Sequence, residues 1–398
     1  MRMSSRFWLI PALFLLYGVS PAWAMLGDTV TLNAAYTRET DSNLFFLPAS
    51  ANLDALIGRS SAEEKIDTTS LGFNVNKPYS LQRIELAVDV IDYRYQNFSY
   101  LGFTAHNYNA AWRWELPPRL SGNFTTYRIQ SLNSFLDYQG FTSRNVRSTV
   151  NRRFEAAYEL QGTWSLLGGV MQSTQTNEQP LPAQGDYTAS SADVGLRYIF
   201  ASGSSLIYTF KNTRGTYLNP TPSSDDGFNQ IDNGVQLYWI TSGQSTAHLG
   251  AAYLSRVHPH HSQLDFSGFN IAANFNWRMT GKSALTAGWT RELSSYQTAD
   301  ATHTQTEHFS VGPVWQVSSK TAVRMNYVLT LRDYLGSPTP IPTTQRSDTL
   351  RDTSVSFDWL PYQRLTFSAS LQKSSRTSTL PDLGYDNTLA SLSAQLTY

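Results

Sequence analysis

The 398-residue sequence predicts an all-β chain, a transmembrane antiparallel up-and-down β-barrel of 18 strands, with 16 as the alternative. Three observations predict it. Hydrophobicity alternates with a period of two along most of the chain, short and long connections alternate, and aromatic residues recur just before the short ones. The composition agrees: 30 Lys+Arg balance 30 Asp+Glu, charged residues make up 15%, and there are 22 Tyr and 20 Phe. Charge is too sparse and strand formers too frequent for a disordered chain. A balanced charge supplies no pull towards nucleic acid, so none is expected as a partner. The absence of cysteine excludes disulfides, thiolate metal sites and thiol nucleophiles.

The first element is a targeting segment. Arg2 and Arg6 form a positive start, Phe7 to Val19 is almost wholly apolar, and Ala22-Trp23-Ala24 offers small residues at a cleavage site. That apolar run is too short to span a bilayer as a helix. Residues 1–24 are therefore expected to be a cleaved signal peptide and residues 25–398 an outer-membrane barrel. Removal of Arg2 and Arg6 leaves 28 basic against 30 acidic groups. No cysteine follows the cleavage site, so a lipoprotein is not expected.

Strands follow. Val30, Leu32, Ala34 and Tyr36 alternate with Thr31, Asn33 and Thr37, and Ile84, Leu86, Val88 and Val90 with Glu85, Ala87 and Asp89. The same period runs through Phe154–Leu160, Ile271–Trp277 and Val323–Leu331. Each segment is about the 9–11 residues that a tilted membrane strand needs.

Short turns are expected at Asn76–Tyr79, Pro117–Arg119, Gln161-Gly162, Ala201–Ser204, Ser242–Ser245, Thr280–Lys282, Ser318–Lys320 and Pro361–Gln363. Long polar loops are expected at Glu39–Lys65, Tyr95–Gly102, Ser131–Arg147, Ser173–Asp186, Asn212–Asn229, Arg256–Gln263, Glu292–His303, Asp333–Thr349 and Ser374–Tyr385. Eight short turns and nine long loops separate 18 strands, the count falling to 16 if Thr29–Arg38 and Ser204–Asn212 are not strands. Short periplasmic turns opposite long extracellular loops mark outer-membrane barrels.

Trp114, Phe200, Trp239, Trp277, Trp315 and Trp359 each stand one to three residues before a short turn and on the apolar face, which predicts a girdle at the periplasmic interface. The final strand alternates Ala390, Leu392, Ala394 and Leu396 up to Tyr398. This ending resembles the carboxy-terminal signal read by the barrel assembly machinery, which is thereby expected as a partner alongside outer-membrane lipid.

The opposite face supplies candidate channel-lining residues: Glu85, Asp89, Arg113, Arg153, Glu155, Arg197, Lys211, Arg278, Arg324, Asn326, Arg332 and Asp358. Barrels of 16–18 strands leave an aqueous lumen. A wall of mixed charges and amides hydrogen-bonds hydroxyl-rich chains without a dominant field. Lumen charge is also generic, serving to solvate the wall and brace it with Arg–Glu pairs.

The opening residues Thr31-Leu32-Asn33-Ala34-Ala35-Tyr36-Thr37 and Asp41-Ser42-Asn43-Leu44-Phe45 resemble the start of EpsL-type exosortase-associated exopolysaccharide biosynthesis outer-membrane proteins, a β-barrel porin-like family. The resemblance implies an outer-membrane channel in the export or assembly of an extracellular polysaccharide. It also implies a polysaccharide chain and periplasmic export components as partners, and supplies no catalytic residue.

Two rival classes remain, a general diffusion porin for small solutes and a barrel enzyme acting on lipid or glycan. A porin calls for segregated charge arrays on an infolded loop, for which Glu63, Glu64 and Lys65 are too few. An enzyme calls for a converged His–carboxylate set. Of the seven histidines, His106, His258, His260, His261, His303 and His308 are placed in loops or at strand tips, and His248 faces the lumen without an evident partner. His258-Pro259-His260-His261 reads as a solvated cluster because no carboxylate follows until Asp265. Asp225-Asp226-Gly227 and Asp232-Asn233-Gly234 read as acidic turns without calcium-loop spacing. No catalytic residue, metal or cofactor is expected.

Overall fold

Alternation of apolar and polar residues along most of the chain leaves each strand one face for lipid and one for water, and pairing such strands edge to edge curls the sheet shut. The computed structural model describes residues 29–136, 142–179, 185–220, 225–296, 301–336 and 345–398. The expected signal peptide lies outside the described residues, as do parts of five of the expected long loops.

The strands are β1 (Val30–Asp41), β2 (Glu64–Tyr79), β3 (Gln82–Tyr95), β4 (Phe103–Leu116), β5 (Leu120–Leu132) and β6 (Val146–Gln161). They continue as β7 (Trp164–Asn177), β8 (Tyr187–Ile199), β9 (Ser205–Tyr217), β10 (Gly227–Ile240), β11 (Ser245–Val257) and β12 (Phe266–Arg278). The last six are β13 (Ser283–Ser295), β14 (His303–Ser318), β15 (Thr321–Leu335), β16 (Ser347–Tyr362), β17 (Leu365–Ser378) and β18 (Tyr385–Thr397). Each pairs antiparallel with its neighbours in sequence, and β1 also pairs with β18. Leu32 and Tyr398 exchange two backbone hydrogen bonds of 2.8 Å at that seam. The sheet is a closed 18-stranded barrel without an edge, one of the two ways to satisfy every backbone group in lipid.

Strand number and faces agree with the sequence reading, and both doubtful strands, β1 and β9, are present. Boundaries differ. The loop expected at Asn212–Asn229 shrinks to residues 218–226, and that at Ser173–Asp186 to 178–186. At the extracellular ends both faces meet water, so the period of two vanishes from the sequence while backbone pairing continues. The first turn moves from Asn76–Tyr79 to Ser80-Leu81, because Asn76–Tyr79 pairs with Gln82–Glu85. Asp232-Asn233-Gly234 is not a turn; it lies within β10, where Asp232 faces inward to Lys211 and Asn233 accepts a hydrogen bond from Tyr208 on the outer face.

The outer wall is apolar: Leu71, Val194, Met325, Leu371 and Leu392 are all more than half exposed, as a lipid-facing surface is when seen without lipid. Trp239, Trp277, Trp315 and Trp359 project from it near the short turns as expected, joined by Trp164. Trp114 shares that face but lies flat. Its ring covers Gly122, where a Cβ atom would collide with it, and stacks over Phe154 at 6.1 Å. Neighbouring Trp112 projects instead.

Candidate channel wall and constriction loop

On the inner face, strand register alone brings opposite charges together. Arg113 of β4 grips Glu85 of β3 with two parallel hydrogen bonds, Nε–Oε1 at 3.1 Å and Nη2–Oε2 at 3.0 Å. Asn123 donates to Glu155 Oε1 at 2.7 Å. Arg153 donates through Nε to Glu155 Oε2 at 2.7 Å and forks onto Asp193 at 2.9 and 3.1 Å. Gly169 of β7 lies between, and a Cβ there would stand 2.9 Å from Arg153 Nη2, so glycine makes room for the fork. Asp193 is paired directly with Lys211, whose Nζ is 3.3 Å from Asp232 Oδ2. A polar belt of alternating sign therefore runs along the wall from β3 to β10. Apart from Asp193, which is buried, its members are intermediate in exposure, as groups lining water are, and bidentate Arg–carboxylate pairs are the most strongly oriented of such contacts.

The remaining candidates lie on the same face but apart. Arg324 and Asp358 form their own close ion pair on β15 and β16, and Ser368 donates to Asp358 at 2.6 Å. Arg197 reaches Ser165 at 3.0 Å. Asp89 projects over Gly72, and Asn326 over Gly312. Arg332 is next to Asp348 in register, near the extracellular end, whereas Arg278 stands at the periplasmic rim. Asp193, Asp232 and Asn123 were absent from the sequence-based set. Each alternates with an outward residue, Asp193 with Val194 for example, so parity was the signal that identifies them.

The histidines require correction. His303 begins β14, at a strand tip as expected, but His106 lies within β4 and His308 inside β14, where its Nδ1 is 2.7 Å from Thr330 Oγ1. His248 does have a partner: its ring stacks on Tyr238, directly opposite in register, at 4.2 Å. His258-Pro259-His260-His261 is not simply solvated. The wholly buried Asp225, from the adjacent loop, accepts the backbone N–H groups of His260 at 2.6 Å and His261 at 2.8 Å. It also takes those of Asp226 and Gly227. Burial alone would raise the Asp225 carboxyl, but the converging N–H groups outweigh it and hold the group well below the usual carboxylate range. Asp225 and Asp226 raise His260 in turn, while burial lowers His258. Asp225, Asp226 and His260 place three potential ligand atoms within 4.8 Å of one another. With four N–H groups already on Asp225, the arrangement is a staple between two loops.

The larger of two buried apolar clusters among the described residues sits at the extracellular mouth, the smaller joining Leu254, Phe266 and Leu293. Residues 42–63, between β1 and β2, fold over Ile66 and Tyr95 on the inner wall. Phe45 packs edge-on to Phe98 at 4.8 Å and against Phe135 at 4.7 Å. A short helix, α1 (Leu53–Ile57), is capped by Asn52 and closed by Gly58 at φ +67°. Glu64, expected as a meagre charge for a constriction, is wholly buried and accepts the N–H groups of Lys65, Gln96, Asn97 and Phe98. The inward Arg376 of β17 donates to Leu136 O at 2.7 Å, tying the β5–β6 loop to a strand far around the barrel. The mouth is thus bridged by infolded loops held by apolar contact and backbone capture.

A closed barrel with an apolar exterior, an aromatic girdle, a charged inner wall and an infolded loop defines the chain as an integral outer-membrane β-barrel of porin-like fold. Solved outer-membrane proteins of Pseudomonas aeruginosa share it. The structure is similar to OccK1 (OpdK), with TM-score 0.52 and 10% identity over 93% of this chain and 99% of that one. OccK9 (OpdG) gives TM-score 0.53 and 10% identity over 93% and 98%. OccK2 (OpdF), solved in complex with glucuronate, gives 0.50 and 11% over 93% and 96%. No protein-family model matches the chain, and no curated protein does either.

Proposed function

We propose that this barrel is a passive channel for small polar solutes across the outer membrane. The observation that carries the reading is the infolded loop narrowing the mouth of an 18-stranded lumen lined by paired charges. Such a wall offers hydrogen bonds at many points, and because Arg113, Arg153, Lys211 and Arg324 each have a carboxylate beside them, much of the wall charge cancels and selectivity for charge is weak. Purified protein in planar bilayers should give ohmic conductance with little preference between potassium and chloride. Arg153→Ala removes the cation from a cluster of two carboxylates, so the reversal potential should shift towards potassium. Absence of conductance, or an unshifted potential, counts against a diffusion channel lined by this belt.

Polysaccharide export is the second reading, and the resemblance of the Thr31–Phe45 stretch favours it. In that reading the wall candidates guide a polymer chain, with periplasmic components feeding it. The same stretch has a local role, because Asp41, Asn43 and Phe45 anchor the infolded loop. A deletion strain separates the two: a diffusion channel predicts normal surface polymer with slowed solute uptake, and export predicts loss of surface polymer.

A further inference from the structure

The outer wall carries a patch that solute passage does not use. On β5, β6 and β9 three arginines, Arg128, Arg152 and Arg214, sit on the same side as the exposed Phe154, Val170 and Phe210. Register joins two of them in one cross-strand row, Arg152–Gln172–Ser190–Arg214, each member directly opposite the next. Three strand spacings separate its ends, roughly 14 Å. The adjoining row, Phe124–Phe154–Val170–Ala192, is apolar, and with Arg152, Gln172 and Ser190 it lines an outer groove of about 520 Å³.

Of the other four outward strand arginines, three are ion-paired on the outer face, Arg94 with Asp92 at 2.7 Å, Arg291 with Glu307 at 3.7 Å and Arg38 with Asp67 at 3.9 Å, and the fourth, Arg351, shares its cross-strand row with Asp386, Ser375 standing between them. From β5 to β9 the outward strand positions hold no Asp or Glu, and none of the three arginines forms an ion pair among the described residues. Arg152 instead donates to Gln172 at 3.1 Å, and Arg128 to Ser148 at 3.4 Å.

Height gives the patch its meaning. The arginines lie eight or nine residues from the short-turn ends of their strands. At about 3.3 Å per residue and a tilt near 40°, that is roughly 20–23 Å, close to the far border of an apolar band about 25 Å tall. A cation there meets the headgroups of the outer leaflet.

We infer that this groove binds a phosphorylated glycolipid of the outer leaflet, its acyl chains on Phe124, Phe154 and Val170 and its phosphates between Arg152 and Arg214. Charge complementarity selects this occupant. Arginine matches phosphate geometry, and no neighbouring carboxylate competes.

The test uses full-length protein in detergent, titrated with bis-phosphorylated lipid A or its dephosphorylated form, with bound lipid counted by native mass spectrometry. The wild type should prefer the phosphorylated form. Arg152→Ser with Arg214→Ser should weaken its binding about 30-fold, the sum expected for two interfacial arginines. Arg291→Ser, which removes a paired arginine, should keep wild-type binding, and heat-modifiable gel mobility checks that each variant is folded. Equal affinity for both lipid forms, or an unaltered folded double variant, overturns the inference. So does efficient cross-linking of Gln172→Cys between copies in native membranes, which would make the groove a subunit interface.

Discussion

Met325 and Asn326 are adjacent in β15, yet one projects into lipid and the other into the lumen. Met325 stands four residues above the strand's periplasmic end, near mid-membrane. Met325→Arg should cost about 2–4 kcal/mol there, whereas Asn326→Arg, placed in water, should be tolerated. Equal losses in urea unfolding from lipid vesicles would show the faces to be assigned wrongly. At the rim, Asp225 makes the His258–His261 loop sensitive to pH. Its carboxyl is lowered, so its contribution is present above the ordinary carboxylate pKa and lost as pH falls through the depressed one. His260 is raised, so its pairing is complete below the ordinary histidine pKa and lost as pH rises through the raised one. The staple should be tightest between about pH 4 and 6.5. Hydrogen-exchange protection of the His260 and His261 amides should decline from pH 6 to 8.5 and be low throughout in Asp225→Asn. A flat wild-type profile would remove the ion pair from the account.

At the scale of elements, the infolded 42–63 loop owes its position to Phe45, which is 1% exposed between Phe98 and Phe135. Truncation to alanine typically costs about 3–5 kcal/mol at such a site. That loss falls on the loop rather than on the barrel, whose strands are held by their own ladders. Phe45→Ala should therefore leave the barrel folded, expose residues 44–62 to protease and raise single-channel conductance. Unchanged conductance with a cleaved loop would mean that the loop does not narrow the path. Strand faces and the girdle were legible because they follow from neighbours one or two residues away. The strands' extracellular ends were not, since a β-ladder in water needs no apolar period. Trp114 shows the limit at its smallest: its face was readable, but its flat pose depends on Gly122 in the next strand.

For the whole molecule, closure through β1 and β18 couples the chain's two ends, so unfolding requires the seam to open. Unheated protein should migrate as a compact species in detergent gels and shift on boiling, with circular dichroism dominated by β-structure. Proteolysis into two separately folded halves would contradict a single ring. The likeness to OccK1, OccK9 and OccK2 at 10–11% identity shows how little of such a ring depends on particular residues. What the sequence by itself determined was the ring: a barrel of 18 or 16 strands, the alternation of faces, and the order of turns and loops. These are set by local period and by the bilayer, which acts on every strand alike. Only the tertiary structure decided which charges meet along the wall, that Asp225 gathers the histidine loop, that Glu64 is spent on backbone N–H groups, and that Arg152 and Arg214 share a row above an apolar groove. Those contacts join residues on different strands and loops, often distant in sequence, and register and loop closure, which no local pattern records, bring them together.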